Sequence, residues 1–574
     1  MVVAMRYVFV LLWYGICILS CIDTKHFVYT SLSQTLYPAI GSLLIIIAYL
    51  LLCLFKKRFA DFSLVQFIAI LLASYIYFHG LLIDAELYKQ GYTICTLLLM
   101  VVLSGCVKDG IMDKRHIVNG VILISAINVA CLIAQFVGIM PSGNPFFQLT
   151  GANENPNIAA IAITISIPFV IERIRQRDYL FFMILLTVLI TVFIIALKCR
   201  TAIIGGICIV VCYVIMFSRS AKTEYIRKLR SRKTIRVFLC ACFVASVAIL
   251  AISGYNWKKE SADGRLFIWQ RNCEMIANSS WGHGYGMYEV EYNKYQSHYF
   301  ATHKSEYDNS NLATACGSAY NDILEHGVQG GLSGSLLYLV FLLFPTCQAY
   351  RNHEWTYFVA MLAIIAMSIT NSICYSISPW IMTISVISII GGSCKNSINC
   401  KMIKLTYTIA AIVITFFLLH REMTFAKKQK QLKNYKNTSC QDIKAVSSLY
   451  PAIGTSEAYF KYLADCYEKN YDYKAADNCY TKARKYTSAP LLLYKSAMCK
   501  EKIGDMHSAL DIMHKAVFML PKNFSLKYNL MMLYYRGNDK NHAQQIACEI
   551  LSTPCRSDNE SIRFIRNEAA TMLE

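Results

Sequence analysis

Two arginines stand out by their neighbours. Arg200 follows Lys198-Cys199 and opens the apolar run Thr201-Ala-Ile-Ile-Gly-Gly206; Arg265 lies in Asp263-Gly264-Arg265, inside a long polar stretch between apolar segments. A guanidinium is planar, always charged and forked. Two of them suit a diphosphate and can stabilise a diphosphate leaving group without a metal. Plainer alternatives exist: Arg200 could snorkel at a membrane boundary, and Arg265 could pair with Asp263 or Glu274. A second cluster, Gly151-Ala-Asn-Glu-Asn-Pro-Asn157, offers Asn153, Glu154, Asn155 and Asn157 to the same vestibule, with Asn157 also placed to cap the next helix. A third group, Tyr320, Asn321, Glu325 and His326, closes the polar stretch, and Trp269 follows Arg265. His283, His298 and His303 complete the polar inventory as surface residues or bases. Seven aromatics (Tyr285, Tyr288, Tyr292, Tyr295, Tyr299, Phe300, Tyr307) could contact sugar C–H faces or anchor the loop at a membrane interface. No Cys-x-x-Cys or Cys/His ligand spacing occurs, so neither a metal site nor a cofactor is expected.

The elements that must hold these groups are membrane spans. Of 574 residues, 56% are hydrophobic and 16% charged, and the mean hydropathy is +0.39; soluble chains carry about 25% charged residues. A span takes roughly 20 apolar residues. Segments 4–22, 38–55, 62–84, 91–107, 117–139, 157–173, 178–197, 201–218, 235–253, 328–349, 355–374, 376–393 and 403–420 qualify, the 376–393 segment being interrupted near its start by Pro379. The first reads as an uncleaved span rather than a signal peptide. With the N-terminus in the cytoplasm, loops rich in Lys and Arg alternate with poorer ones, and 254–327 falls outside. The net charge of +20 then belongs to cytoplasmic loops and implies no nucleic acid. Cysteines within apolar runs, such as Cys17 and Cys240, behave as small hydrophobes.

Beyond 420 the character changes. Residues 421–456 read as a linker. In 457–574, Ala464, Tyr467, Ala476 and Ala483 recur about 33 residues on as Ala497, Lys500, Ala509 and Ala516, with Gly504 before the second helix and Pro521 after it. Tyr534, Gly537, Ala543 and Pro554 make a weaker third copy, and 559–574 a capping helix. Period and small residues resemble tetratricopeptide repeats; an ordinary helical hairpin bundle is the alternative. The expected fold is all-α: a polytopic membrane domain over 1–420, then a helical-repeat domain able to bind a protein partner.

Taken in order, the motifs resemble the O-antigen ligase family of bacterial envelope glycosyltransferases, which also includes O-antigen polymerases and protein O-oligosaccharyltransferases. The resemblance rests on Asn155-Pro-Asn157 before a span, Arg200-Thr-Ala opening one, Gly264-Arg-x-x-x-Trp269 in a long loop, and Asn321-Asp-x-Leu324-Glu325-x-Gly327-x-x-Gly330 at its end. It covers roughly residues 100–395. It implies a GT-C-like membrane fold in the inner membrane, with transfer of a glycan from undecaprenyl diphosphate to an acceptor hydroxyl at the periplasmic face. The acceptor would be lipid A core, a growing glycan or a protein. It also implies that Arg200 and Arg265 hold the lipid diphosphate. One departure is evident: the family usually carries histidine where this chain has Tyr320. Tyrosine, with a pKa near 10, is a poor base at neutral pH. A scaffold without activity, recruiting an envelope assembly through its repeats, is the rival class.

Overall fold

A computed structural model of the chain describes residues 2–27, 32–56, 62–82, 87–220, 259–303, 310–394, 401–438, 442–454, 456–555 and 559–574. The segment 235–253, expected to span, and Tyr307 lie outside them. The described residues form helices and connecting turns. The membrane domain begins with α1 (Val2–Leu19), α2 (Leu32–Lys56), α3 (Leu64–Leu82), α4 (Leu87–Lys108), α5 (Lys114–Phe136), α6 (Pro156–Gln176), α7 (Leu180–Ala196) and α8 (Arg200–Ser220). Two loop helices follow, α9 (Lys259–Asn278) and α10 (Tyr288–Thr302). The chain then re-enters the bundle through α11 (Asp322–Arg351), α12 (Trp355–Ser368), α13 (Ile377–Ser393) and α14 (Lys401–Asn437). Among the described residues, six helices (α2 to α6 and α11) are long and apolar enough to cross a membrane, and shorter apolar helices accompany them. The protein is an all-α polytopic membrane protein.

The core is organised on α13 and α4. In α13 every residue from Ser378 to Gly391 is buried. Pro379 sits in its first turn, where a proline costs little, so the interrupted segment becomes the most enclosed span. A helix apolar on all sides belongs inside a bundle. The Trp380 indole donates to Thr96 Oγ1 of α4 at 2.8 Å, which satisfies its one polar atom.

One span is shorter than its apolar run. The segment 355–374 was expected to cross as a whole, but α12 stops at Ser368 and residues 369–376 form a polar turn. Asn371, Ser372 and Ser376 are buried there. The helix ends because the carbonyls and hydroxyls of this turn are taken up by side chains from other elements, as described below.

The C-terminal helices pair. The first members, α16 (Glu457–Lys469), α18 (Pro490–Ile503) and α20 (Phe524–Arg536), are each followed after a short turn by α17 (Tyr473–Ala483), α19 (Met506–Met519) and α21 (Lys540–Ser552). Short α15 (Ile443–Ser447) precedes them and α22 (Glu560–Thr571) closes the stack. Ala464, Ala476, Ala483, Ala497, Ala509, Ala516 and Ala543 are all fully buried: their size lets the paired helices approach closely. The second helix of each pair is capped in the same way, by Asp472, Asp505 and Asp539, whose carboxylates accept from the N–H three residues on. Gly504 ends α18 in the left-handed conformation (φ 90°).

This domain rests on loop helix α10. Glu289 Oε1 accepts from Thr487 Oγ1 at 2.9 Å, Asn293 Nδ2 donates to Ser488 Oγ at 2.8 Å, and Ser297 Oγ donates to the Lys515 carbonyl at 2.8 Å. The polar loop and the C-terminal helices therefore lie on the same side of the bundle.

Candidate active site

Arg265 reaches the 369–376 turn, and Arg200 stands close to Arg265. Arg265, in the second turn of α9, donates from Nη1 to the Thr370 carbonyl at 2.5 Å. Thr201, next to Arg200, donates to the same carbonyl at 3.4 Å. Arg200 is the first residue of α8, and its Nη2 donates to Ser261 Oγ of α9 at 3.0 Å. Burial, and then the nearby Arg200 charge, lowers the Arg265 pKa from its ordinary value; the group stays protonated at neutral pH. The alternative partner Glu274 is engaged by Arg271 at 2.6 Å instead. Two converging guanidinium groups at the N-terminus of α8 make a strongly electropositive corner suited to an anion.

Tyr320 forms one wall. Its ring lies under the Arg265 guanidinium at 5.0 Å, a cation–π contact. Its backbone has φ +50°, uncommon for a bulky residue and the kind of strain that persists only where surroundings enforce it. The enforcement is visible on both sides. Trp269 Nε1 donates to the Ala319 carbonyl at 3.0 Å, the Ala319 N–H donates to Glu325 Oε2 at 3.0 Å, and Asn321 caps α11 through the N–H groups of Ile323 and Leu324. Burial raises the Tyr320 phenol above its ordinary range, and Arg265 only partly opposes this. A phenol shifted in this direction keeps its proton at neutral pH. Tyr320→Phe should retain a large part of the activity, with a loss of about tenfold or less, since a removed hydroxyl contact is worth about 1 kcal/mol; a loss as deep as that of an arginine variant, in membranes with matched protein levels, would show the hydroxyl takes part in the chemistry.

Other expected site residues have structural partners. Glu325 is buried and also accepts from Ser372 Oγ at 2.7 Å. His326 is buried, stacked on Tyr338 with centroids 4.1 Å apart, and its Nδ1 meets Tyr285 Oη at 3.0 Å. Asn155 caps α6, accepting from the Asn157 N–H at 2.9 Å; the cap expected of Asn157 belongs to Asn155, because Pro156 takes the first helical position. Asn153 is buried, its Nδ2 donating to Asn128 Oδ1 at 3.0 Å. The hydrogen bonds of Asn153 and Asn155 thus stay within their own turn and α5.

Tyr288, Tyr292, Tyr299 and Phe300 form the loop's own core, while Tyr285 packs into the bundle beside Tyr75 and His79. Tyr285, Tyr288, Tyr292, Tyr299 and Phe300 are buried; Tyr288 and Tyr292 stack at 5.6 Å, as do Phe267 and Phe300 at 5.8 Å. Both expected uses, sugar platform and membrane anchor, require exposure these rings lack. On α9, Ile268 and Met275 are buried, whereas Leu266 is 54% exposed.

Three features had weaker signals. The 369–376 turn was hidden as a short polar gap between two apolar runs, although Thr370-Asn-Ser372 marks a break. Asp322 is fully buried and accepts from Tyr338 Oη at 2.8 Å and the Cys374 N–H at 3.2 Å, tying α11 to that turn. The third is a backbone junction. The N–H groups of His283 and Gly284 donate to the carbonyls of Val328 and Gln329 at 2.9 and 2.8 Å, and the Leu332 N–H donates to the Ser280 carbonyl at 3.0 Å. This clamps the 280–284 turn onto a break in α11 at Gly331.

Residues 158–339 match the family model described as O-antigen ligase. That segment is similar to the O-antigen ligase family. The ligase segment is narrower than the expected 100–395. It includes Arg200, Arg265, Trp269 and Tyr320 to His326, and leaves Asn153, Asn155 and Asn157 just outside. No curated protein matches the chain. Both arginines and Tyr320 to His326 thus lie within the matched segment, whereas the 369–376 turn lies beyond it.

Proposed function

We propose that the protein transfers a glycan from undecaprenyl diphosphate to an acceptor hydroxyl at the periplasmic face of the inner membrane. The observation that carries this reading is that Arg265 and Thr201, the neighbour of Arg200, share the Thr370 carbonyl, with both arginines inside the matched segment 158–339. The acceptor oxygen attacks the sugar C1, the bond from C1 to the diphosphate oxygen breaks, and the hydroxyl proton passes to water or to the departing diphosphate. The negative charge growing on that oxygen falls to the two guanidinium groups. No side chain at the corner is an obvious base, because Glu325 and His326 are buried and Tyr320 is a phenol held above its ordinary pKa. Arg200 and Arg265 are the catalytic residues in this scheme, with Trp269, Asn321 and Glu325 shaping the turn that carries Tyr320.

Lipid A core, a growing glycan and a protein hydroxyl are the three acceptors. The C-terminal helix pairs, read as tetratricopeptide-like repeats, favour a protein acceptor or partner, because stacked helix pairs present extended peptide-binding surfaces. Matched gels of a deletion strain decide among them. Loss of the lipopolysaccharide ladder identifies the core as acceptor, shortened polymer identifies a polymerase, and faster glycoprotein mobility identifies protein glycosylation. A strain unchanged in all three sinks the proposal.

A further inference from the structure

Helix α10 carries two buried amides that each reach in two directions. Asn293, 1% exposed, accepts from the Cys316 N–H through Oδ1 at 3.0 Å; its Nδ2 donates to the Cys316 carbonyl at 3.3 Å and to Ser488 Oγ at 2.8 Å. Gln296, 0% exposed, donates from Nε2 to the Thr314 carbonyl at 3.1 Å and to the Met519 carbonyl at 2.8 Å. Its Oε1 is buried with no hydrogen-bond partner among the described residues, so the side chain is oriented by these two donations. One arm of each amide holds the 314–316 segment that runs into Ala319 and Tyr320. The other holds the C-terminal domain at the turn before α18 and the end of α19.

We propose that Asn293 and Gln296 are positioning residues that make the placement of Tyr320 and Arg265 depend on the docking of the C-terminal helices. The inference rests on the transfer reading above. A side-chain amide has two N–H donors, and here they are divided between the site segment and the docked domain. A shift of the C-terminal helices is then passed through Asn293 to Cys316, along Ser318 and Ala319, whose carbonyl is held by Trp269, to the strained Tyr320 backbone under Arg265. The domain that would bind a protein partner thereby also sets the catalytic corner.

The test is a double-mutant cycle on the full-length protein in membranes, with amide hydrogen exchange read alongside. Ser488→Ala removes the hydroxyl that meets Asn293 Nδ2 and the carbonyl and carboxylate of Glu289 on the docking side, away from the catalytic corner. It should lower kcat about tenfold, given that small misplacements of a reacting pair are costly, and leave the KM for the lipid-linked donor unchanged. Asn293→Ala should lower it further, and the double variant should be no slower than Asn293→Ala alone, the non-additivity expected of one chain of contacts. Exchange at 312–320 should rise in Ser488→Ala while 524–571 keeps its parent protection. Additive losses overturn the proposal, as does a Ser488→Ala variant with parent rate and parent exchange at 312–320. A parent protein without transfer activity would sink the function proposed above and leave exchange to decide the coupling.

Discussion

Arg265→Ala should lower glycan transfer by on the order of 10²–10³, the usual loss when one group stabilising a leaving oxyanion is removed. The size follows from position. Arg265 is half-buried against the Thr370 carbonyl and the Tyr320 ring, and Arg200 stands close enough to lower its pKa. Holding two like charges together costs free energy in the resting protein, and a diphosphate gaining charge in the transition state offsets it. Arg265→Lys should recover only part of the rate, because lysine keeps the charge and loses the fork. Arg200→Ala should fall in the same range. Truncating Arg265 also strips a charged donor from a carbonyl in a buried turn, worth about 1.5–3 kcal/mol. Complementation of a deletion strain must therefore be read against protein levels on a blot. Full activity from well-expressed Arg200→Ala and Arg265→Ala variants would leave the scaffold as the better description.

Gly331→Ala should be the most damaging small substitution in the chain. Gly331 interrupts α11 with φ 66° and ψ −167°, a region open essentially to glycine alone. A Cβ there would lie 2.1 Å from the Ser280 carbonyl oxygen and 2.6 Å from the Trp281 carbonyl carbon. Both neighbours are backbone, held by the 280–284 junction, so neither can swing away. Gly282, facing it with φ 89°, would place a Cβ 2.4 Å from the Gly331 nitrogen. Strain and clash together should cost about 3 kcal/mol or more. Little folded protein should accumulate, and what does should lose its detergent-solubilised fold at a clearly lower temperature. Gly264→Ala is the matched control: a Cβ there meets nothing within 4 Å, and alanine favours helix by roughly 0.5–1 kcal/mol. Equal melting temperatures for Gly331→Ala and the parent would refute the reading of the junction as an obligatory backbone contact.

Much of the architecture was legible because a bilayer leaves few options. Apolar runs located α1 to α8 and α11 to α13 within about six residues, whereas α14 runs on to Asn437 through residues read as a linker; small residues at a 33-residue interval fall on the C-terminal helix pairs. The equivalent caps Asp472, Asp505 and Asp539 were a repeat signal of the same kind that went unused. At the site, the electropositive pair could be anticipated from charge standing where membrane topology disfavours it. Its floor could not. Thr370, Ser372 and Cys374 matter through backbone groups and burial, and no residue type advertises that its carbonyl will be shared. Burial also decided the aromatics, since composition shows rings and only packing shows that Tyr288 and Tyr292 face each other.

The docking of the C-terminal helices on α10 sets a schedule for making the protein. Asn293 and Ser488 are 195 residues apart in the chain, and Gln296 and Met519 are 223 apart. At a synthesis rate of about 5–20 residues per second, the loop waits roughly 10 to 45 seconds for its partner surface. During that interval four more helices, α11 to α14, must be inserted and the tail carried to the side where the loop already lies. A nascent chain can thus hold both arginines and still lack the surface that fixes Asn293 and Gln296. A ribosome stalled before residue 488 leaves a membrane domain whose loop is unbraced, and the last step of assembly is contributed by the last part of the chain.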